Sequence, residues 1–129
     1  MIWLPTCDQL MRLHTKVSAR TGGSDALRDR SLVESALARA DSGFAGSELY
    51  PTVSEKAGAV CAGLISNHGF MDGNKRIGVM AMLLILRKNG VQLRYTQQEL
   101  IALGMDAAKG ALRTPEIIQW IRTHMEETP

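Results

Sequence analysis

Aromatic residues are scarce in this chain. Two Phe, two Tyr and two Trp make up 5% of 129 residues. Sheet-forming side chains are thus few, while Ala, Leu and Met are frequent, and that balance favours helices. Cysteine is scarcer still. Cys7 and Cys61 stand far apart and match no metal-ligand spacing, which leaves no cysteine zinc site and no disulfide framework and points to reduced thiols in a cytoplasmic protein. Charge of either sign is not in excess: the net charge is +2, too weak to call for nucleic acid. No apolar run is long. The best, Ile77 to Leu86, falls well short of the about 20 residues a membrane span needs. The start, Met1-Ile2-Trp3-Leu4-Pro5, lacks the basic and apolar regions of a signal peptide. There is no internal repeat and no low-complexity segment. What remains, 45% hydrophobic and 22% charged over 129 residues, reads as one soluble domain with a real core, spanning 1–129.

Caps and periodicity divide the chain into six helices. Thr6 or Asp8 caps a first helix over about 7–20, with Leu10, Leu13 and Val17 on its apolar side and Thr21-Gly22-Gly23-Ser24 ending it. His14 lies within reach of that face and is expected to be a hydrogen-bonded structural histidine. A second helix covers about 29–40, with Leu32, Ala36, Leu37 and Ala40 on one side. The stretch 41–52 holds Gly43, Gly46 and Pro51 and reads as a loop, with Phe44, Leu49 and Tyr50 packing partly against the body. Thr52-x-x-Glu55 is a capping box for a helix over about 53–66, rich in small residues that admit a close neighbour. The segment Val91–Tyr95 alternates like a short strand. Thr96-x-x-Glu99 opens a helix over about 97–109, and Thr114-Pro115 opens the last, about 115–126, burying Ile117, Ile118, Trp120 and Ile121.

The most informative stretch is Asn67-His68-Gly69-Phe70-Met71-Asp72-Gly73-Asn74-Lys75-Arg76 and the uncharged run after it. That run, Ile-Gly-Val-Met-Ala-Met-Leu-Leu-Ile-Leu, stops at Arg87-Lys88-Asn89-Gly90, a helix stop signal. Apolar on every side, it predicts a buried helix over 74–89 at the centre of the bundle. Lys75 and Arg76 fall in its first turn, where the macrodipole disfavours cations by about 0.3–1 kcal/mol each. An anion resolves the conflict. Helix N-terminal N–H groups bind phosphate, Gly73 permits close approach, and Asn74, Lys75 and Arg76 add a polar amide and charge. Asp72 suits Mg²⁺ held together with substrate phosphates. His68 is the residue type suited to take a proton from a hydroxyl near neutral pH. Phe70 is expected to anchor the loop in the core. Singly, each of these residues has an ordinary structural reading, Asp72 as a helix cap among them; together, at this spacing, they read as a catalytic loop.

The order of residues resembles the motif of the Fic/Doc family, His-x-Phe-x-(Asp/Glu)-Gly-Asn-x-Arg before a buried helix, here His68-Gly69-Phe70-Met71-Asp72-Gly73-Asn74-Lys75-Arg76. The Asp-Gly-Asn-Lys-Arg form resembles the Doc (death-on-curing) branch, the toxins of type II toxin–antitoxin pairs. The flanks agree at Leu13-His14, Gly22-Gly23, Ala26 to Arg39 and Glu48-Leu49-Tyr50-Pro51. The resemblance implies an all-α bundle of about six helices around a buried central helix, with a short hairpin-like flap before the motif that positions the target's backbone. It also implies ATP and Mg²⁺ as cofactors. AMP-transferring members carry Gly where this chain has Lys75, and a second Arg where it has Val79. The resemblance therefore implies transfer of the γ-phosphate, as by a protein kinase. His68, Lys75 and Arg76 would be catalytic, Gly73, Asn74, Lys75 and Arg76 would hold phosphate, and Asp72 would hold the metal. The implied target is a threonine of elongation factor Tu, halting translation.

Transfer of AMP to a protein hydroxyl, a non-catalytic nucleotide- or partner-binding module and a DNA-binding bundle are the alternatives. The last lacks a basic stripe and a recognition helix. Many Fic proteins silence themselves with a (Ser/Thr)-x-x-x-Glu-(Gly/Asn) helix. The nearest match here, Thr123 to Thr128, ends in the wrong residue. A Phd-like antitoxin whose disordered tail folds onto the protein is the implied partner.

Overall fold

A computed structural model of the chain describes residues 1–126. Six helices follow one another: α1 Cys7–Thr21, α2 Arg30–Ala40, α3 Val53–Asn67, α4 Asn74–Lys88, α5 Gln97–Ala108 and α6 Thr114–Thr123. The fold is all-α. Between α2 and α3 two short strands, β1 Gly43–Phe44 and β2 Ser47–Glu48, pair antiparallel with Gly43 opposite Glu48. Ala45 and Gly46 both take positive φ in the two-residue turn, as such a hairpin requires. The flap expected before the motif is thus a hairpin. Of the three residues expected to pack on the body, Tyr50 is half-buried, but Phe44 is 87% and Leu49 60% exposed, because two-residue strands present no continuous apolar face to bury.

The helix starts follow local chemistry. Thr6 and Gln9, and Thr96 and Glu99, form reciprocal capping boxes. At α3 the box is half made. Thr52 Oγ1 accepts from the Glu55 amide at 3.2 Å but donates to the Glu55 carboxylate at 2.7 Å. At α6 Arg113 stands at the cap, with Pro115 inside the first turn, one position later than Thr114-Pro115 suggests. The last helix ends at Thr123, three residues short of the expected end, because the chain turns back: Met125 pairs antiparallel with Leu93, and Arg94 N donates to His124 O at 2.8 Å. The extended 91–95 segment therefore finds its partner at the C-terminal side of the bundle. Glu127 and Thr128, the end of the Thr123–Thr128 segment, lie outside the described residues.

α4 buries Ile77, Gly78, Val79, Ala81, Met82, Ile85 and Leu86. Its far side is not covered: Met80 is 36% exposed and Leu83 and Leu84 are half-buried. The hub is α3, which packs on α2, α4 and α6. Glycine explains how. A Cβ on Gly58 would stand 2.6 Å from Ile118 of α6, one on Gly63 3.0 Å from Ala36 of α2, and one on Gly78 of α4 2.7 Å from Ile65 of α3. Two glycines of α3 and one of α4 thus bring three helices close against α3. No helix among the described residues is long and apolar enough to cross a membrane. Cys7 and Cys61 are free and buried, and burial pushes the Cys61 thiol up to about 12.

Candidate active site

The loop from α3 to α4 is built by four devices. First, α3 ends in a left-handed residue that is not glycine: His68 has φ 51° and ψ 50°. Such a conformation costs on the order of 1–3 kcal/mol and persists only where neighbours enforce it. Here Arg28 does so. Its Nε donates to His68 O at 2.6 Å and its Nη2 to Asn67 O at 3.2 Å. The guanidinium thus bonds the last carbonyls of α3, where the helix dipole also favours a cation.

Second, the 26–29 segment runs antiparallel to the loop. Arg28 N and Asp29 N both donate to Gly69 O at 2.9 Å, Met71 N donates to Ala26 O at 2.9 Å, and Leu27 bridges Phe70. Gly69 is required here, since a Cβ would lie 2.6 Å from Val33 Cγ2. Third, Phe70 is 2% exposed, and its ring lies 3.9 Å, centroid to centroid, from that of His14. Fourth, the Asn74 amide closes the loop on itself: Phe70 N donates to its Oδ1 at 3.0 Å and its Nδ2 donates to Phe70 O at 2.9 Å.

That last pair gives Asn74 a service beyond the one expected: both ends of its amide are engaged by Phe70, so the side chain holds the loop. Asp72 does not cap α4 in the ordinary way. Its Oδ1 accepts only from the adjacent Gly73 N, at 2.8 Å, and Gly73, with φ 75°, is an N-cap without a side-chain hydrogen bond. The first turn of α4 therefore presents its N–H groups uncapped, beside two cations, the arrangement that receives an anion. Lys75 and Arg76 are exposed. Arg76 Nη1 donates to Thr21 Oγ1 at 2.8 Å, which ties it to the end of α1. The stem of Lys75 runs over Gly104 of α5 beside Val79, where a Cβ would meet Lys75 Cγ at 3.1 Å.

A groove of about 850 Å³ opens here between α1, α4 and α5, with an apolar floor that includes Leu13, Val79 and Leu100 and with Lys75 and Arg76 on its wall. His68 and Asp72 are exposed and do not line it. The structure thus brings His68, Asp72, Gly73, Lys75 and Arg76 onto one loop and one helix end, but divides them between the groove and the open face beside it. Among the described residues no three His, Cys, Asp or Glu side chains gather as a metal cage.

Three supporting residues have contacts that local sequence order does not show. Arg28 acts across 40 positions, so no local pattern reveals it. Thr21 meets Arg76 across 55. His14 is 1% exposed, and among the described residues neither ring nitrogen has a hydrogen-bond partner. It packs against Phe70, and burial lowers its pKa more than the Asp25 and Asp72 charges and the Asp72 backbone raise it.

Comparison with known proteins agrees with this geometry. The model of the Fic/DOC family matches residues 4–86. Toxin Doc of Mycolicibacterium smegmatis (strain ATCC 700084 / mc(2)155) is 39% identical over 79 residues, 61% of this chain and 61% of that protein, less than two thirds of its length. Protein kinase doc of Escherichia phage P1 is 29% identical over 115 residues, 89% of this chain and 90% of that protein. The family match spans well over half the chain and contains the whole loop from His68 to Arg76, so the chain belongs to the Fic/DOC family.

Proposed function

We propose that the chain is a toxin of a toxin–antitoxin pair that moves the γ-phosphate of ATP to a hydroxyl of a protein. One observation carries the reading: α4 begins uncapped at Gly73 with Lys75 and Arg76 in its first turn, one loop away from an exposed His68. The triphosphate lies on the N–H groups of that turn, with Lys75 and Arg76 facing charge that develops on the transferred group. His68 takes the proton of the target hydroxyl. The hydroxyl oxygen forms its bond to the γ-phosphorus as the bond to the β–γ bridging oxygen breaks, and ADP leaves with that electron pair. Asn74 serves by fixing the loop. Asp72, a single exposed carboxylate, fits a magnesium ion shared with phosphate oxygens, which when bound neutralises phosphate charge.

Two features favour γ-phosphate over AMP transfer. Position 79 is a buried valine, so no second arginine faces the phosphates from there, and the Lys75 stem lies over the same part of α5. The phage relative's name, Protein kinase doc, points the same way. A threonine of elongation factor Tu is the proposed target. The apolar groove beside Lys75 and Arg76 would take one face of a helix from a Phd-like antitoxin, which then covers both cations.

A paired assay tests the reading. The protein is given Mg²⁺, elongation factor Tu and ATP labelled at the α- or the γ-position. Label transferred from the γ-position alone, and lost in His68→Ala, is the expected result. Transfer from the α-position would make it an AMP transferase. Absence of both, with nucleotide still bound, would leave a binding module.

A further inference from the structure

The mechanism above does not use Lys56, yet it is 4% exposed and makes three polar contacts. Its Nζ donates to Ala40 O at 2.8 Å, to Glu48 Oε1 at 3.1 Å and to Asp41 Oδ1 at 3.4 Å. An ammonium has three donors, and all three are engaged. The carboxylates lie at the surface, 56% exposed for Glu48 and 69% for Asp41, so the buried end of each pair belongs to α3.

Glu48 is in β2, and among the described residues its bond to Lys56 is the one side-chain hydrogen bond from the two strands to the body. All four strand residues are exposed, and the backbone bond from Leu49 N to Ser42 O, 2.8 Å, closes the hairpin only on itself. A hairpin of this size does not hold its orientation alone. The same helix that carries Lys56 ends at His68. We infer that Lys56 is a positioning residue for the protein target: it fixes the angle of the β1–β2 hairpin against the helix that presents His68. This rests on the proposed transfer to a protein hydroxyl and adds which residue aligns the acceptor.

A purely structural role makes a different forecast. A methionine at 56 fills the same stem volume and leaves Asp41 and Glu48, both exposed, to water, at the cost of the one bond to Ala40 O. Stability and positioning therefore separate in two measurements on the full chain. The first is native-state cleavage by chymotrypsin within 44–50, read by mass. Lys56→Met should speed it several-fold, as a looser hairpin opens more often. Glu48→Gln, an exposed change with no folding risk, should do so less, and Lys56→Arg least. The second is the split between KM and kcat. Lys56→Met should raise the KM for the protein target about tenfold, since a loosened hairpin must be ordered as the target docks, with the KM for ATP unchanged. Unchanged cleavage in both Lys56→Met and Glu48→Gln would overturn the tether, whatever reaction the protein performs. Faster cleavage with an unchanged KM for the target would overturn the positioning role. Should the unaltered chain transfer no phosphate, the proposed function fails, and the cleavage arm still decides whether Lys56 holds the hairpin.

Discussion

At the residue scale, the feature that matters most is the left-handed His68. Its backbone is uphill by itself and is held by Arg28 through the two last carbonyls of α3. Arg28→Ala should lower kcat for transfer by about 10²-fold, the cost of misplacing a reacting group by about 1 Å. The KM for ATP should stay near its original value. Because Arg28 is exposed, millimolar guanidinium should restore part of the activity, which it would not do for a misfolded variant. Arg28→Lys should restore little, since one ammonium does not reproduce the planar fork that spans two carbonyls. Asn74→Ala should fail differently. It frees Phe70 N and O together, so the loop loosens and thermal stability falls by about 1–3 kcal/mol, measured by urea unfolding. The identity of the loop residues was legible in the sequence because their types and spacing form a chemical set. The service of Asn74, and the whole of Arg28, were not, because a hydrogen bond across the fold leaves no trace in local order.

At the scale of elements, the capping residues marked helix starts within one or two positions, since an N-cap is local chemistry. What periodicity ranked wrongly was importance. The uncharged run of α4 looks like the centre, yet α3, with its smaller residues, is the helix that others surround. Hydropathy weighs how much apolar surface a helix carries, whereas a hub needs surface that neighbours approach closely. Gly78→Ala tests this. Its Cβ would stand 2.7 Å from Ile65 Cγ1 and 3.1 Å from the Cys61 carbonyl, and backbone yields less than a side-chain tip. The variant should lose about 1–3 kcal/mol in urea unfolding, although alanine is the better helix former. A gain in stability would mean that α3 and α4 slide apart readily.

For the whole molecule, two histidines set opposite responses to pH. His14 is buried, and burial holds its pKa below the ordinary 6.5. The unfolded chain then binds the proton more readily, so stability falls as pH drops below about 6.5. His124 is the reverse. Burial lowers its pKa, but the Trp120 carbonyl and the Glu99 carboxylate, both 2.7 Å away, outweigh this and raise it above 6.5. The folded chain keeps that proton, so the contribution is full below about 6.5 and is lost as pH rises through the higher folded value. Stability should therefore peak close to neutrality. His124→Gln should flatten the alkaline side of the melting-temperature profile and His14→Phe the acid side, each leaving the other limb in place.

The contact of α6 with Gly58 also sets an order of events. Ile118 covers the bare backbone of α3, and α6 is the last helix described along the chain. A ribosome releases its product N-terminus first, at about 5–20 residues per second. The 68–76 loop and its Arg28 brace are thus synthesised while the α6-facing flank of α3 is still open. The loop is therefore made before the helix that completes the packing around α3, and its rigidity waits on a segment that lies far from it in the chain.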